Sequence, residues 1–93
     1  MKRDERRLLL AGAAWGPADQ PPDWRSIAES IGMHPKRAWK ILEKWTGRGW
    51  LEFGVSPFGG WLTEDGIKEA CARAAEVLEE SLTDALEAQC SES

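Results

Sequence analysis

Residues 23–45 read DWRSIAESIGMHPKRAWKILEKW, a pattern that predicts two short helices joined by a tight turn. Apolar residues of the first helix recur at i, i+3, i+4 and i+7, which is one helical face, and Asp23 precedes them as a cap. Gly32 ends this helix because glycine adopts a left-handed backbone most easily, and Pro35 suits the first position of the next helix, with His34 as a weaker cap. So short a connection predicts a steep crossing, which presents the second helix as a ridge of the size that the DNA major groove admits.

The second helix, predicted over residues 35–47, has one apolar face and one basic face. The apolar face consists of Ala38, Ile41, Leu42 and Trp45. The outward face carries four cations and one anion, with an indole among them: Lys36, Arg37, Trp39, Lys40, Glu43 and Lys44. This face is typical of a helix that reads DNA, and it is also typical of the solvated side of an ordinary helix.

A hairpin and a long helix are predicted to follow. Residues 48–55 read as a strand, residues 56–60 as a turn and residues 61–62 as the returning strand, after which Thr63 is a fitting helix cap. The sequence therefore predicts a mostly α fold with a small β-hairpin: helices over 3–15, 24–31 and 35–47, a hairpin over 50–62 and a long helix from about 64 to 89.

Three sequence marks occur in this order, and they span roughly residues 23–66. They are Ile27-Ala28 with Ile31-Gly32-Met33, then Arg48-Gly49-Trp50-Leu51, and finally Trp61-Leu62-Thr63-Glu64-Asp65-Gly66. Together with the order of elements, they resemble the winged helix-turn-helix family, in particular its MarR-like and PadR-like bacterial transcription regulators. The resemblance implies a winged domain over residues 1–63, with a C-terminal dimerisation helix and short tail over 64–93. It also implies a transcription regulator, most simply a repressor, that binds double-stranded DNA as a homodimer.

The residues predicted to contact DNA are assigned by position along the recognition helix and its flanks. They are Lys36, Arg37, Trp39, Lys40, Lys44, Arg48 and Arg25. Arg37 is the best candidate for specificity because its planar fork can pair with both acceptors of a guanine, whereas lysines suit phosphates. Trp39 has three interpretations: contact with a thymine methyl, contact with a partner protein, or packing on its own domain. The last two are favoured.

The hairpin, or wing, departs from the DNA-binding pattern because no cation occurs from Leu51 to Thr63. If exposed, Val55, Pro57, Phe58 and Trp61 would form a hydrophobic edge, a feature more typical of protein contacts. The other interpretation is that at least two of Phe53, Phe58 and Trp61 cover a thin core. A second functional hypothesis follows: a winged-helix protein-interaction module, such as a phage-encoded inhibitor or adaptor, whose partner binds at Val55, Phe58 and Trp61.

Charge and spacing in the last helix predict self-association. Residues 1–50 carry ten Lys or Arg against six Asp or Glu, whereas residues 51–93 carry two against ten, so a basic half precedes an acidic one. The predicted dimerisation residues recur at steps of four and three: Ile67, Cys71, Ala74, Leu78, Leu82 and Ala85. This spacing is that of a coiled-coil seam. The alternative is a helix folded back on its own domain, with a frayed end after Leu86.

Other classes of function find little support in the sequence. Cys71 is predicted to be a small hydrophobe on the seam and Cys90 a free thiol of the tail; a redox role or an intersubunit disulfide is the alternative. Neither cysteine has a neighbour at metal-ligand spacing, and His34 is explained as a cap, so we expect no metal, no cofactor and no enzymatic activity. The longest apolar run is too short to cross a bilayer, and we expect a soluble cytoplasmic protein.

Overall fold

The computed structural model describes residues 1–15 and 20–92, with side chains described through residue 86. Its elements in chain order are α1 (Arg3–Ala13), α2 (Trp24–Ser30), α3 (Pro35–Gly47), β1 (Leu51–Glu52), a 3₁₀ turn (Pro57–Gly59), β2 (Trp61–Leu62) and α4 (Glu64–Glu92). The molecule is mostly helical, with a small antiparallel hairpin and a long C-terminal helix. This confirms the predicted fold at that level of detail.

The predicted caps are confirmed by hydrogen bonds. Asp23 Oδ1 accepts from the Ser26 amide at 3.2 Å, His34 Nδ1 accepts from the Lys36 amide at 3.1 Å, and Thr63 Oγ1 accepts from the Gly66 amide at 3.1 Å. Each bond satisfies an amide that has no partner in the first helical turn. The bond from Ser26 also holds the pKa of Asp23 below its usual value. Gly32 has a φ of 74°, the left-handed conformation predicted for the turn between α2 and α3.

The ends of the first two helices differ slightly from prediction. α1 ends at Ala13 rather than residue 15 because the amide of Trp15 turns back to the carbonyl of Gly12 at 3.2 Å. α2 ends at Ser30, and Ile31 forms its C-cap. By contrast, α3 spans Pro35–Gly47, as predicted.

The hairpin is shorter than predicted. Its strands pair only at Leu51 with Leu62 and at Glu52 with Trp61, so the prediction of a strand over residues 48–55 is wrong in length. The chain leaves the ladder after Glu52 and forms the 3₁₀ turn Pro57–Gly59, where the Ser56 hydroxyl accepts a hydrogen bond from the Phe58 amide at 3.3 Å. This local turn replaces the longer ladder that β-propensity alone suggested.

The core lies between α1, α2 and α3 and is closed by the hairpin and the start of α4. Its buried apolar residues are Leu8, Leu9, Trp24, Ile27, Ala28, Met33, Ala38, Ile41, Leu42, Trp45, Leu51 and Ala70. The apolar face predicted for α3 is buried in full. Trp24 meets Trp45 edge to face at 5.7 Å between ring centroids, and its indole N–H donates to the Gly60 carbonyl at 2.9 Å. Trp24 also lies against Gly12, where an added Cβ would come within 2.0 Å of the ring. α1 and α2 therefore approach closely only because residue 12 is glycine.

α4 packs on α1 along one side and then continues past it. Ala70 is buried, Arg73 and Val77 are half-buried, and Arg6 of α1 forms an ion pair with Glu80 at 3.2 Å. Residues 81–86 are all exposed. Over residues 64–86, the body of the molecule therefore covers α4 only as far as about Glu80.

Candidate nucleic-acid interface

The outermost face of α3 carries two lysines. Lys36 and Lys40 are exposed on the side opposite the buried stripe, one turn apart, with Glu43 next along the same face. Among the side chains that the structure describes, neither lysine makes an ion pair. Both lysines can therefore bind an external anion without first breaking an ion pair within the protein.

The flank of α3 that faces α1 is paired internally. Arg37 donates through Nη2 to Asp4 Oδ1 at 2.9 Å and through Nε to the other carboxylate oxygen, which is a two-point pair. Lys44 Nζ donates to Glu5 Oε1 at 2.7 Å. Arg37, Lys40 and Lys44 therefore line one groove, and two of these three cations already face a carboxylate of α1.

The Arg37 pair changes the titration of its partner. The hydrogen bond from Arg37 is the main cause that lowers the pKa of Asp4 to about 2, and the same bond raises the pKa of Arg37. Asp4 is therefore ionised throughout the physiological range. pH does not separate the pair under those conditions, but a competing anion can do so because both side chains are partly open to water.

Sequence reasoning missed Asp4 and Glu5 as members of this site. They are the two acids of the otherwise basic segment KRDERR, residues 2–7 at the start of the chain, and acids in a first helical turn are usually explained by the helix dipole alone. Their partners lie 33 and 39 residues further along the chain. The local pattern carries no signal for contacts at such separation.

The opposite flank of α3 faces the hairpin. Trp39 meets Phe58 edge to face at 5.3 Å between centroids, and its indole N–H donates to Glu43. Trp39 is only partly covered by these contacts, since 37 % of the residue remains exposed. One part of the Trp39 ring therefore packs on its own domain, which is one of the three interpretations. The rest of the ring is open to solvent.

The other two predicted contact residues lie outside the outer face of α3. Arg48, which caps α3, is exposed and places its guanidinium 5.0 Å from the centroid of Trp50. Arg25 is exposed in the first turn of α2. Arg48 thus lies at the end of α3 and Arg25 on α2, so neither belongs to the outer face of α3 itself.

The hairpin is apolar and only partly covered. Val55 is fully exposed and Trp61 is 45 % exposed, whereas Phe53 and Phe58 are half-buried and Pro57 is buried. Of the three aromatic residues, Phe58 packs against the core, Phe53 is half-buried and Trp61 is exposed, so the interpretation that at least two of them cover the core is supported for Phe58 alone. Val55 and Trp61 form the open part of the edge.

Two concavities border α3, one on each side of its outer face. The larger one, about 580 Å³, lies between α1 and α3 and is lined by Met1, Lys2, Glu5, Arg37, Lys40, Ile41 and Lys44. The smaller one, about 300 Å³, lies between α3 and the 3₁₀ turn and is lined by Pro35, Lys36, Trp39, Lys40 and Phe58. Lys40 stands between the two.

The predicted seam of α4 is exposed along its whole described length. Ile67, Leu78 and Leu82 are 43, 62 and 56 % exposed, and Cys71, Ala74 and Ala85 are exposed with them. This stripe is distinct from the side of α4 that packs on α1. Cys71 is therefore not buried within one chain, and Cys90 lies outside the residues whose side chains are described.

Searches for other kinds of site and for related proteins gave negative results. Across residues 1–15 and 20–86, whose side chains the structure describes, no group of three potential metal ligands occurs. In the same part of the chain, none of the helices combines the length and apolarity needed to cross a membrane. Comparison with protein-family models, with curated proteins and with solved structures gave no match.

Proposed function

We propose that this chain is a winged helix-turn-helix protein that binds double-stranded DNA, with α3 in the major groove. In this proposal it acts as a homodimeric transcription regulator, most simply a repressor. The observation that carries the proposal is the outer face of α3. Lys36 and Lys40 are exposed there, on a helix that follows α2 after a left-handed glycine turn. A projecting helix with cations in its first two turns has the form of helices that enter the major groove.

The cations divide into groups with different expected roles. Lys36 and Lys40 reach phosphates directly, while Arg48 at the end of α3 and Arg25 on α2 are exposed cations that add to these contacts. Arg37 can turn its fork to a guanine once Asp4 is displaced, because both members of that pair are partly exposed and such pairs are weak. Lys44 is bound to the buried Glu5 and contributes mainly to the fold.

The uncharged hairpin limits the size of the interface. With no cation between Leu51 and Thr63, the wing adds no phosphate contact. If Arg25, Lys36, Lys40 and Arg48 each meet one phosphate, the logarithm of affinity should fall with the logarithm of salt concentration with a slope of about −3.6 per subunit. Binding should thus be modest and strongly salt-dependent.

Pairing of two chains through α4 would complete the interface. The seam offers apolar side chains at coiled-coil spacing that the chain's own body leaves exposed. In a two-fold dimer the two recognition helices would meet successive major grooves, which are about 34 Å apart. Acidic residues of α4, such as Glu79 and Asp84, must then point away from the duplex.

A mobility-shift titration of the whole chain against mixed-sequence duplex DNA tests the proposal. We expect a shift at low salt that weakens steeply as salt rises. The double variant Lys36→Gln/Lys40→Gln should reduce the magnitude of the salt slope by about two per subunit. Lys68→Gln on α4 removes a charge from outside this face and should leave the slope unchanged. Absence of a shift at low salt, or an equal effect of both variants, would exclude α3 as the DNA-binding helix.

Light scattering over a range of concentrations tests the dimer. We expect a mass of two chains that falls toward one chain in the variant Leu78→Ser/Leu82→Ser. Ala72→Ser changes an exposed residue on another side of α4 and should leave the mass unchanged. A single-chain mass for the parent protein at all concentrations would overturn the proposed dimer.

A protein-interaction module is the second candidate function, and the hairpin favours it. Val55 and Trp61 are exposed, and the neighbouring cavity between Trp39 and Phe58 is almost wholly apolar. Exposed apolar surface beside aromatic residues is typical of protein contacts. If the mobility-shift titration fails, Trp61→Ser and Val55→Ser become the variants to compare with the parent for binding of candidate protein partners.

A further inference from the structure

The larger cavity, between α1 and α3, is strongly cationic. Lys2, Arg37, Lys40 and Lys44 line it, and Ile41 and Met1 supply apolar surface. Asp4 and Glu5 are the two carboxylates that meet these cations. Glu5 lines the cavity as well, whereas Asp4 meets Arg37 beside it. Four positive charges therefore stand against one negative charge within the cavity and one next to it. Among the described side chains, Lys2 and Lys40 have no ion-pair partner.

The two carboxylates that these cations already bind indicate which kind of anion the cations can bind. Arg37 grips both oxygens of Asp4 with its planar fork, and Lys44 holds an oxygen of Glu5 at 2.7 Å. Phosphate presents pairs of oxygens with nearly the same spacing as a carboxylate, so the fork that fits Asp4 also fits a phosphate. The remaining cations, Lys2 and Lys40, have room to meet a second charge of the same ligand.

We propose that the groove between α1 and α3 is a binding site for phosphate groups, in which Arg37 exchanges Asp4 for a phosphate and Lys2 and Lys40 hold its further charge. Asp4 thereby acts as an internal competitor. The volume of about 580 Å³ lies within the range of small-ligand sites, so a free phosphate monoester, which carries that further charge, fits the groove, while a DNA backbone phosphate would bring a single charge to Arg37.

The exchange is feasible because the Asp4–Arg37 pair is exposed. Both side chains keep more than 40 % of their surface in contact with water, 44 and 41 % respectively, so neither is stranded when they separate. Exposed ion pairs contribute little to stability, whereas a doubly charged phosphate offers Arg37 and Lys40 more charge than one carboxylate does. Glu5 remains on Lys44 at the buried end and fixes the depth of the groove.

The test uses inorganic pyrophosphate as the probe and the full chain without DNA. NMR spectra are recorded during a titration at pH 7, with sodium chloride added at matched ionic strength in a parallel sample. We expect saturable shifts of the Arg37 Nε–H and Lys40 amide signals with a Kd of roughly 1 mM, the range expected for so small a ligand. Equal shifts in the chloride sample would overturn the proposal.

Two variants separate this site from a general attraction of anions. Arg37→Lys keeps the charge but removes the fork, and it should weaken pyrophosphate binding about fivefold. Asp4→Asn removes the competitor and should tighten binding about fivefold. The matched controls are Arg7→Gln on α1 and Asp65→Asn on α4, which change charge outside the groove and should have no such effect. Circular dichroism checks that each variant is folded. If Asp4→Asn and Asp65→Asn bind pyrophosphate equally well, the proposal fails even if Arg37→Lys is unstable.

A second arm of the experiment identifies the source of the phosphate. Duplex DNA is titrated with and without saturating pyrophosphate at constant ionic strength. Competition would show that the groove also receives a backbone phosphate, and independent binding would assign it to free phosphate esters. Saturable binding of pyrophosphate supports the site in either case. The outcome without DNA therefore does not depend on whether the proposed DNA binding is correct.

Discussion

Two adjacent carboxylates of α1 contact the same flank of α3, yet their surroundings are opposite. The Glu5 side chain is 5 % exposed and meets Lys44, whereas the Asp4 side chain is 44 % exposed and meets Arg37. A buried carboxylate that loses its cation has little water to replace it, while an exposed one simply becomes hydrated. One pair therefore belongs to the fold, and the other can be exchanged.

This difference assigns separate roles to two cations that look equivalent in the sequence. Lys44 and Arg37 lie two turns apart on one side of α3, and both were predicted to contact DNA. Lys44 anchors α1 to α3 by neutralising the buried Glu5. Arg37 is the one that an incoming phosphate or base can recruit. A loss of binding in a Lys44 variant would therefore need a stability measurement before it could be read as a lost DNA contact.

The largest expected effect is the destabilisation caused by Lys44→Ala. This change leaves the buried Glu5 without a cation, and we expect the free energy of unfolding to fall by about 2 kcal/mol, below the cost of breaking a fully buried pair because Lys44 is half-exposed. Urea denaturation followed by circular dichroism measures this change. Lys40→Ala on the same helix is the matched control and should change the free energy by less than about 0.5 kcal/mol. Equal midpoints for the two variants would mean that Glu5 does not depend on Lys44.

A second change should restore part of the lost stability. In the Lys44→Ala background, Glu5→Gln removes the unpaired charge and keeps the shape of the side chain. We expect about half of the lost free energy, roughly 1 kcal/mol, to return, because a buried amide costs less than a buried carboxylate. The measurement is again urea denaturation, with Asp4→Asn in the same background as the control. Additive losses in the double variant would contradict the assignment of Glu5 as the buried partner.

The elements around this contact were largely predictable from the sequence. The stripe of α3, from Ala38 to Trp45, is buried as its spacing predicted, and the caps at Asp23, His34 and Thr63 form their hydrogen bonds. These features depend on neighbours within a few residues, so a local pattern carries them. The short hairpin was less predictable, because the length of its ladder depends on a turn that competes with the strand.

The ion pairs between α1 and α3 could not have been predicted in the same way. The sequence shows an outward basic face on α3 and two acids in α1, but it does not show that these two surfaces meet. That contact depends on how closely α1 approaches the core, which Gly12 permits by leaving room for Trp24. Tertiary packing thus divided a basic face that looked uniform into a paired flank and an open face with Lys36 and Lys40.

The smallest effect concerns pH, and it tests the exchangeable pair directly. Arg37 lowers the pKa of Asp4 from 3.8 to about 2, so the pair stabilises the fold above pH 4 and loses this contribution as pH falls from about 4 to about 2. In Arg37→Gln the pKa of Asp4 should rise toward 3.8, and the pH dependence of stability between pH 4 and 2 should become shallower. NMR titration of the Asp4 carboxyl carbon measures the pKa, and Arg7→Gln serves as the control for loss of one charge from α1. By linkage, the stability that Arg37→Gln loses at pH 7 should equal the pH-dependent contribution that disappears below pH 4, and because both side chains of the pair are exposed this loss should be smaller than that of Lys44→Ala. A loss of stability at pH 7 as large as that of Lys44→Ala would show that the Asp4–Arg37 pair supports the fold as the Glu5–Lys44 pair does. An unchanged Asp4 pKa would show that Arg37 is not its main partner in solution.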